Sequence, residues 1–376
     1  MMIEGLDRVL IVGGGIGGMA TAIALMKRGV GVDVVDIDPE WKVYGAGITI
    51  TGPTLRAFRD LGLLNAIAEH GFLSVGSKIH LFNGMQLAEM EELPIEPGLP
   101  SAGGIMRPKL HEIMSEQVLA LGADVRLGIT VDALDQDGTG VDATFSDGSK
   151  RRYDLVVGAD GIYSKMRAML FEHPAEPVYS GQMSWRVVSP RPAGMDVSMF
   201  YFGHENVAGT VPCSQDEVYS FILHPEPNPR HIAKAEKPAF VRNLLKDFGG
   251  DMARVRDGIT DQSSIVQRPF EYAFQPLPWH KGRVVLIGDA VHATTAHLAS
   301  GAGIAVEDAL VLSEELARAG GDVERGLAAF EDRRFERCKF VVESSVGICK
   351  RQLEHAPAEE IGQRMGMAMH KLAEAI

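Results

Sequence analysis

The sequence predicts an α/β protein in which a lobe with a parallel sheet is interrupted by a second, mostly antiparallel β lobe. Two strands that are apolar after a first arginine lead into glycine turns near both ends of the chain, at residues 8–12 and 283–287, and such apolar runs are typical of buried parallel sheets. Between about residues 178 and 275, short segments alternate apolar and polar residues, which is typical of antiparallel strands with one exposed face. A last amphipathic stretch, at about 358–375, predicts a C-terminal helix.

The first strand leads directly into a glycine-rich turn. Gly13, Gly15 and Gly18 have the spacing G-x-G-x-x-G, and the second strand ends at Asp36, about 20 residues further on. In a dinucleotide site these glycines allow the tight turn, the approach of a pyrophosphate and close helix–strand packing, while the acid binds a ribose hydroxyl. The helix that begins at Ile16 would point its free amides at the phosphate. We therefore predict a dinucleotide site here; a glycine-rich turn without a ligand is the alternative.

The other elements follow from hydrophobic periodicity and turn residues. Helices are predicted over about 16–28, 54–61 and 107–121, short strands over 125–157, and irregular chain over 72–100. Further helices are predicted near 237–248, 302–318 and 323–352.

Two more strands end in short polar turns that contain an aspartate. Asp160 and Gly161 follow one apolar strand, and Gly288 and Asp289 follow another. Ligands of parallel sheets bind beyond the carboxyl ends of the strands, so we expect these turns and the first glycine turn to converge on one crevice. That crevice would face the inserted β lobe.

The composition limits the classes of function. A net charge of −13 opposes non-specific binding to nucleic acid. The sequence contains no run of 18 or more apolar residues, so it predicts no membrane span. The N-terminus lacks the pattern of a secretory signal. Cys213, Cys338 and Cys349 have no C-x-x-C spacing, which argues against a disulfide framework and against a zinc site. We therefore expect a cytoplasmic protein without a metal, either a monomer or a homodimer.

The G-x-G-x-x-G start and the two aspartate turns together resemble the three fingerprints of the single-component (class A) flavin-dependent monooxygenases, the para-hydroxybenzoate hydroxylase-like family. Their order and separation agree over nearly the whole chain. The resemblance implies a Rossmann-like FAD-binding domain of the glutathione reductase type, with an inserted, mostly antiparallel β substrate lobe and a C-terminal helix. The implied boundaries are 1–72, 101–177 and 276–350 for the FAD-binding domain, 73–100 and 178–275 for the substrate lobe, and 351–376 for the last helix.

The resemblance also implies which residues hold the cofactor. Asp289 would accept a hydrogen bond from the ribityl chain, and Arg107 would lie near the flavin. Lys42 would reach the pyrophosphate, because the family's arginine is replaced here by Val43. The complete implied FAD-binding set is Gly13, Gly15, Ile16, Gly18, Asp36, Lys42, Gly45, Gly47, Arg107, Asp160, Arg167, Gly288, Asp289, Gly301, Ala302 and Gly303.

The implied reaction is a hydroxylation. NADH or NADPH, a transient co-substrate, reduces FAD; dioxygen then gives a flavin hydroperoxide, which attacks an electron-rich aromatic or N-heteroaromatic small molecule. On the substrate side, His297 is predicted to face the ring as a base, and Arg186 to contact the flavin or a substrate anion. Tyr201 is a weaker candidate. A packing or surface role is the alternative for each of these three residues.

One departure from the family keeps other functions open. The family usually carries a proline where this chain has Ala296, in the loop beside the reacting flavin edge. A flavin oxidase, a dehydrogenase or an epoxidase on the same fold is therefore an alternative. A non-catalytic FAD-binding module and a plain NAD dehydrogenase are alternatives of other classes. The sequence neither names the substrate nor decides between NADH and NADPH.

Overall fold

The computed structural model describes residues 1–43, 45–91 and 93–376. The strands, in chain order, are β1 (Arg8–Val12), β2 (Gly31–Asp36), β3 (Gly47–Thr51), β4 (Phe72–Ser74), β5 (Gly76–Leu81), β6 (Gln86–Glu91), β7 (Ala102–Met106), β8 (Asp124–Leu127), β9 (Val131–Gln136), β10 (Val141–Phe145), β11 (Lys150–Tyr153), β12 (Leu155–Gly158), β13 (Val178–Pro190), β14 (Ser198–Phe202), β15 (Val207–Pro212), β16 (Glu217–Pro225), β17 (Ile265–Phe274), β18 (His280–Lys281) and β19 (Val284–Leu286). The helices are α1 (Ile16–Met26), α2 (Gly52–Asp60), α3 (Leu64–His70), α4 (Arg107–Ala120), α5 (Lys165–Leu170), α6 (Lys237–Leu244), α7 (Gly250–Gly258), α8 (Asp289–His292), α9 (Gly301–Ala319), α10 (Val323–Leu353) and α11 (Ala358–Ala373), with a 3₁₀ turn at Ala296–Leu298.

A six-stranded sheet in the order β18-β19-β12-β1-β2-β8 forms the first lobe, and its strands are parallel except for β18. Its central strands are buried, with helix α1 packed against β1 and β2 and helix α9 packed against α1, which explains their uninterrupted apolar sequences. Val12 lies beside Gly158, and Gly158 lies beside Leu286. The turns that follow β1, β12 and β19 therefore meet at one edge of the sheet, as the sequence predicts.

A seven-stranded sheet in the order β17-β13-β16-β15-β14-β5-β6 forms the second lobe, which we call the β lobe. Its strands are antiparallel except for the pair β14 and β5. The expectation of irregular chain over residues 72–100 is wrong, because β4, β5 and β6 lie there. The edge strand β6 is exposed along its whole length, so it lacks the alternation that identifies a half-buried strand. Glu92 lies outside the described residues.

The α/β fold class is confirmed, and the predicted helices are present with ends shifted by a few residues. The region predicted near 237–248 holds α6, and the separate helix α7 follows it. Helix α10 packs against α9 and reaches β13, so it connects the two lobes. No helix among the described residues is long and apolar enough to cross a membrane. The domain boundaries themselves stay a prediction.

Candidate functional site

A cleft of about 730 Å³ lies between the sheet edge of the first lobe and the β lobe. This volume is within the range of pockets that bind small molecules and cofactors. The first lobe contributes the turns that follow β1, β12 and β19 and the beginning of α9, and the β lobe contributes strands β13, β16 and β17. Among the lining residues are Gly15, Ile16, Gly47, Arg107, Gly161, Arg186, Tyr219, Arg268, Phe270, Glu271, Gly288, Asp289, Thr295, Ala296, Gly301 and Ala302.

The three motif glycines have different environments. Gly13 has φ +109°, and a Cβ on it would lie 2.4 Å from the Ala159 carbonyl oxygen. A Cβ on Gly18 would lie 1.9 Å from the Gly13 carbonyl oxygen. A Cβ on Gly15 would meet no atom within 4 Å and would point into open space. Gly13 and Gly18 are thus needed for the fold, whereas Gly15 leaves room for a ligand at the beginning of α1.

Asp36 stabilises the glycine loop in this structure. Its Oδ2 accepts a hydrogen bond of 2.7 Å from the Gly14 amide, and its Oδ1 accepts one of 2.8 Å from the Asp38 amide. The Trp41 indole donates to the Gly14 carbonyl oxygen at 2.9 Å. The strand end therefore fixes the loop that precedes α1, and the ribose contact of Asp36 stays a prediction.

Asp160 and Arg167 connect the second and third turns without lining the cleft. Asp160 accepts hydrogen bonds from the Ser164 hydroxyl at 2.5 Å and from the Met166 amide at 3.0 Å, so it holds the first turn of α5. The buried Arg167 guanidinium donates to the Ala290 carbonyl oxygen at 2.8 Å, in the turn that carries Asp289. Arg167 therefore ties the two turns to each other, and a direct cofactor contact by either residue stays a prediction.

Asp289 points into the cleft and has no hydrogen-bond partner among the described residues. The carboxylate is open to the cleft yet enclosed by surrounding protein, and this burial raises its pKa, an effect that His292 and Arg107 partly offset. An unpartnered carboxylate in a protein-enclosed cleft is an acceptor available to a ligand hydroxyl.

A buried charged network that the sequence analysis missed lies directly behind this turn. Asp308 Oδ2 accepts hydrogen bonds from the Gly288 amide at 2.9 Å and from His292 Nε2 at 2.6 Å, while its Oδ1 accepts one of 2.8 Å from Arg334 Nε. Arg334 also donates to Glu307 at 2.8 Å. The sequence feature that indicates this network is the acidic pair 307–308 inside an otherwise apolar helical segment. Acidic residues in a buried helix require charged partners, so such a pair predicts a buried ion pair.

The charges of this network support one another. Burial opposes ionisation of Asp308, but the charges of His292 and Arg334 lower the pKa of its carboxyl to about 2. Burial likewise opposes protonation of His292, but the Cys338 sulfur and Asp308 raise its pKa well above the ordinary value. His292, Asp308 and Cys338 offer ligand atoms within 4.8 Å of one another, a spacing that a metal ion could use. The Arg334 guanidinium already bonds to Asp308 there, so it supplies the cationic partner.

Three arginines face the cleft. Arg107 lies at the beginning of α4, Arg186 on β13 and Arg268 on β17. Burial, and then repulsion from Arg186, lower the pKa of Arg107; Tyr219 and Asp289 raise it, and Arg268 lowers it further. The Nε atoms of Arg107 and Arg186 are buried without a hydrogen-bond partner among the described residues. The structure thus brings Arg107 and Arg186 to the same cleft and adds Arg268, which the sequence analysis did not single out; the predicted flavin and substrate contacts of Arg107 and Arg186 stay predictions.

The structure does not place His297 on the cleft. Its ring is 8% exposed, and its Nε2 lies 3.0 Å from Gln182 Oε1 and 3.1 Å from Gln352 Oε1. Because both neighbours are acceptors, Nε2 carries the proton, and Nδ1 accepts from the Thr295 hydroxyl at 3.0 Å. Burial lowers the pKa of His297 to about 4. The described geometry therefore does not support the prediction that His297 faces the substrate ring, and we assign it no role as a base.

Tyr201 also lies away from the cleft. It is 1% exposed in the β-lobe core and stacks on His80 with ring centroids 4.7 Å apart. Its hydroxyl lies 3.4 Å from the Asp251 amide. The ring is therefore enclosed by packing in the β-lobe core, and the geometry does not support a catalytic role.

Some of the remaining predicted cofactor residues line the cleft, and others lie away from it. Gly47, Gly301 and Ala302 line the cleft, whereas Lys42 pairs with Glu40 at 2.8 Å and is 62% exposed. Close packing explains several of the glycines, since a Cβ on Gly45 would lie 3.0 Å from Arg107, one on Gly47 2.4 Å from the Cys213 sulfur, and one on Gly303 2.2 Å from the Thr54 hydroxyl. The pyrophosphate contact of Lys42 stays a prediction.

Comparisons with known proteins find similarity over nearly the whole chain. A sequence model of the FAD binding domain family matches residues 7–345. The Bacillus subtilis protein YetM is 32% identical over 94% of this chain and 96% of its own length. The aurachin C monooxygenase/isomerase of Stigmatella aurantiaca is 32% identical over 90% of this chain and 88% of its own. Among solved structures, Klebsiella pneumoniae HpxO complexed with FAD and uric acid superposes with a TM-score of 0.85 at 22% identity, covering 98% of this chain and 93% of HpxO.

Proposed function

This chain belongs to the class A flavin-dependent monooxygenases of the para-hydroxybenzoate hydroxylase-like family, and on that premise we propose that it hydroxylates an electron-rich aromatic or N-heteroaromatic small molecule, using NADH or NADPH and dioxygen. The observation that supports this proposal is the cleft, which has helix N-termini on the first-lobe side and the β lobe on the opposite side. A substrate held against the β lobe would lie beside a cofactor held by the helix termini. HpxO, which has the same fold, binds uric acid in addition to FAD.

The residues of the cleft fit FAD, which the family binds. The open space at Gly15, in front of the first amides of α1, suits a pyrophosphate. The unpartnered Asp289 carboxylate suits a ribityl hydroxyl, and the N-terminus of α9 at Gly301 and Ala302 suits the negative charge of a reduced flavin ring. Bound FAD would supply the chemistry of hydride acceptance and dioxygen activation.

The chain's own residues would orient the substrate and exclude water. Thr295 and Ala296 line one side of the cleft, and Phe270 and Tyr219 line the β-lobe side. Water exclusion matters because it strengthens electrostatic interactions in the site and prevents side reactions. The Thr295 hydroxyl bonds to the buried His297 ring, which fixes the loop beside the cleft. Thus His297 acts in this proposal as a positioning residue behind the loop.

The test is a two-part measurement on the purified FAD-loaded protein. The visible flavin absorption is followed anaerobically with NADH or NADPH, with and without a panel of hydroxylated aromatic and N-heteroaromatic compounds. The compound that most accelerates bleaching is then turned over under ¹⁸O₂. We expect one labelled oxygen atom in the ring product and one equivalent of NAD(P)H consumed for each product formed.

The same experiment separates the alternatives. Peroxide as the only oxygen product, with an oxidised substrate that carries no label, would replace the proposal with an oxidase. A labelled epoxide would indicate an epoxidase. Flavin that is bound tightly but reduced by neither nucleotide with any compound of the panel would favour a binding module.

A further inference from the structure

We propose that the substrate of this cleft carries an extended apolar substituent on its ring, such as an alkyl chain, and that the outer part of the β lobe binds this substituent. The inference rests on the proposed hydroxylase function and adds the shape and polarity of the substrate beyond the reacting ring. The surface that would bind the substituent, which we call the apolar wall, consists of Ile79, Leu81, Phe200, Phe202, Val207 and Phe221.

The strand register places the apolar wall on the face of the β lobe to which Arg186 belongs. Arg186 lines the cleft, and its partner on β16 is Phe221. From there a row of directly paired residues crosses the sheet through Gly209, Phe200 and Ile79. Paired residues point to the same side of a sheet, so this row faces the side on which the cleft lies. A second row on the same face runs through Leu223, Val207, Phe202 and Leu81.

The two faces of this sheet are covered differently. On the opposite face, Trp185, Tyr201 and Ile222 form a buried core with α6 and α7. The residues of the apolar wall are only half-buried. Apart from Phe221, none of them packs against a hydrophobic core of buried residues in the part of the chain that the structure describes. Contiguous apolar groups that a protein leaves open indicate an interaction site or a ligand-binding groove.

Neighbouring aromatic rings connect the apolar wall with the cleft. Tyr219 lines the cleft, and its ring centroid lies 5.9 Å from that of Phe221. The centroids of Phe221 and Phe200 lie 6.1 Å apart. The Phe221 ring extends over Gly209, where a Cβ would lie 2.5 Å from the Phe221 Cζ atom. The absence of a side chain at Gly209 thus lets the rings form a continuous apolar path that leads out of the cleft.

The length and polarity of the apolar wall fit an uncharged chain. Phe200 lies three strands from Arg186, a distance on the order of 14 Å, because neighbouring strands lie about 4.7–4.9 Å apart. A single ring beside Arg186 would leave most of this distance uncovered. Beyond Arg186, both rows consist of uncharged residues. A chain that extends from the ring along the phenylalanines would remove apolar surface from water, which favours binding in proportion to the area buried.

The experiment measures how affinity depends on chain length in the FAD-loaded full-length protein. The probes are 4-alkylphenols and 6-alkyl-3-hydroxypyridines with chains from methyl to heptyl, and the readout is the perturbation of flavin absorption without reductant. In at least one series we expect the dissociation constant to fall roughly twofold to fourfold for each added methylene, where fourfold corresponds to complete burial.

Two variants locate the chain on the apolar wall. Phe200→Thr should flatten the dependence for the longer chains and leave binding of the methyl compounds unchanged, because a methyl group does not reach β14. Threonine is favoured in strands, so the sheet should persist. Ile79→Thr, one strand further out, should reduce only the gain of the longest chains.

Phe82→Thr is the matched control, because Phe82 is also half-buried but packs against the core beside α6 and α7. It should keep the chain-length dependence. Affinity that does not rise with chain length in either series would overturn the proposal. A dependence that Phe200→Thr and Ile79→Thr leave intact, or that Phe82→Thr flattens equally, would do so too.

Two further measurements separate this proposal from its alternatives. A dimer that Phe200→Thr dissociates, detected by analytical ultracentrifugation, together with affinity independent of chain length would assign the apolar wall to a second copy of the chain. Oxygen transfer from ¹⁸O₂ to the methyl compounds, with rates that fall as the chain lengthens, would keep the hydroxylase function and overturn the apolar wall. Tight binding of the long-chain compounds without any oxygen transfer would reject the hydroxylase function and keep the apolar wall.

Discussion

Charged residues on the two sides of the Gly288–Asp289 turn differ in whether the protein itself pairs them. Behind the turn, Asp308 and Arg334 are fully buried, and each is satisfied by ion pairs and hydrogen bonds within the protein. In front of it, Asp289 and the cleft arginines have no protein partner among the described residues. The difference teaches that burial alone does not identify a functional charge. A charged side chain that is paired within the protein stabilises the fold, whereas one that is unpaired at a cleft is available to bind a ligand.

The largest effect that would test this comparison is loss of the network behind the turn. Asp308→Asn leaves Arg334 and His292 without their shared carboxylate, and breaking a buried ion pair costs about 3–5 kcal/mol. We expect a loss of that size in the free energy of unfolding, measured by denaturant titration, and weaker FAD retention because Gly288 also loses its acceptor. Asp257→Asn is the control, since Asp257 is exposed and pairs with Arg256; it should leave the midpoint unchanged. A similar small effect in both variants would contradict a structural role for the network.

The second effect is a pH dependence of stability that comes from His297. Its folded pKa is lowered to about 4, below the ordinary value of about 6.5, so the neutral ring stabilises the fold above pH 6.5. That contribution, about 3 kcal/mol at most, should be lost progressively as the pH falls from 6.5 to 4. The difference in unfolding free energy between the parent protein and His297→Asn should shrink over this interval.

The control for the pH dependence is His370→Asn, because His370 is exposed on α11. Its difference from the parent protein should stay flat with pH. A flat difference for His297→Asn as well would mean that the ring is not held neutral by burial.

A third effect concerns the unpaired carboxylate in front of the turn. Asp289→Ala removes an acceptor that the fold does not use, so the unfolding free energy of the FAD-free protein should not fall. If a ligand hydroxyl loses its only partner, the cost is about 1–3 kcal/mol, and the FAD dissociation constant should rise about tenfold to a hundredfold. Fluorescence titration of the FAD-free protein measures this dissociation constant. Asp135→Ala is the control, because Asp135 is exposed on β9. Unchanged FAD affinity would remove Asp289 from the cofactor site.

The smallest effect separates two tyrosines of the β lobe. Tyr201 is enclosed in the core, and among the described residues its hydroxyl makes only long contacts, so Tyr201→Phe should cost less than about 1 kcal/mol and leave kcat/KM unchanged. Tyr219 lines the cleft near Arg107 and Arg186, so Tyr219→Phe should alter substrate binding or coupling. A change in kcat/KM for Tyr201→Phe with normal Tyr219→Phe kinetics would reverse the assignment.

Local signals predicted the parts of the site that belong to strand ends. The turns at Gly13, Asp160 and Asp289 follow uniformly apolar strands, and parallel pairing brings such ends together at one edge. The position of His297 could not be predicted in this way. It lies two positions after Thr295 in the chain, yet its orientation depends on Gln182 and Gln352, which come from β13 and α10. Adjacency to a cleft-lining loop does not determine on which side of the loop a side chain lies.

The sequence by itself determined the fold class, the family and the sheet edge where the cleft lies, because apolar runs, glycine spacing and turn residues are read within short segments. Only the tertiary structure decided which charges are free. Arg268 and Arg186 become neighbours through the register of β13 and β17, and Arg334 reaches Asp308 across two packed helices. Pairing of charges depends on distances between residues far apart in the chain, and those distances are set only when the strands have paired and the helices have packed.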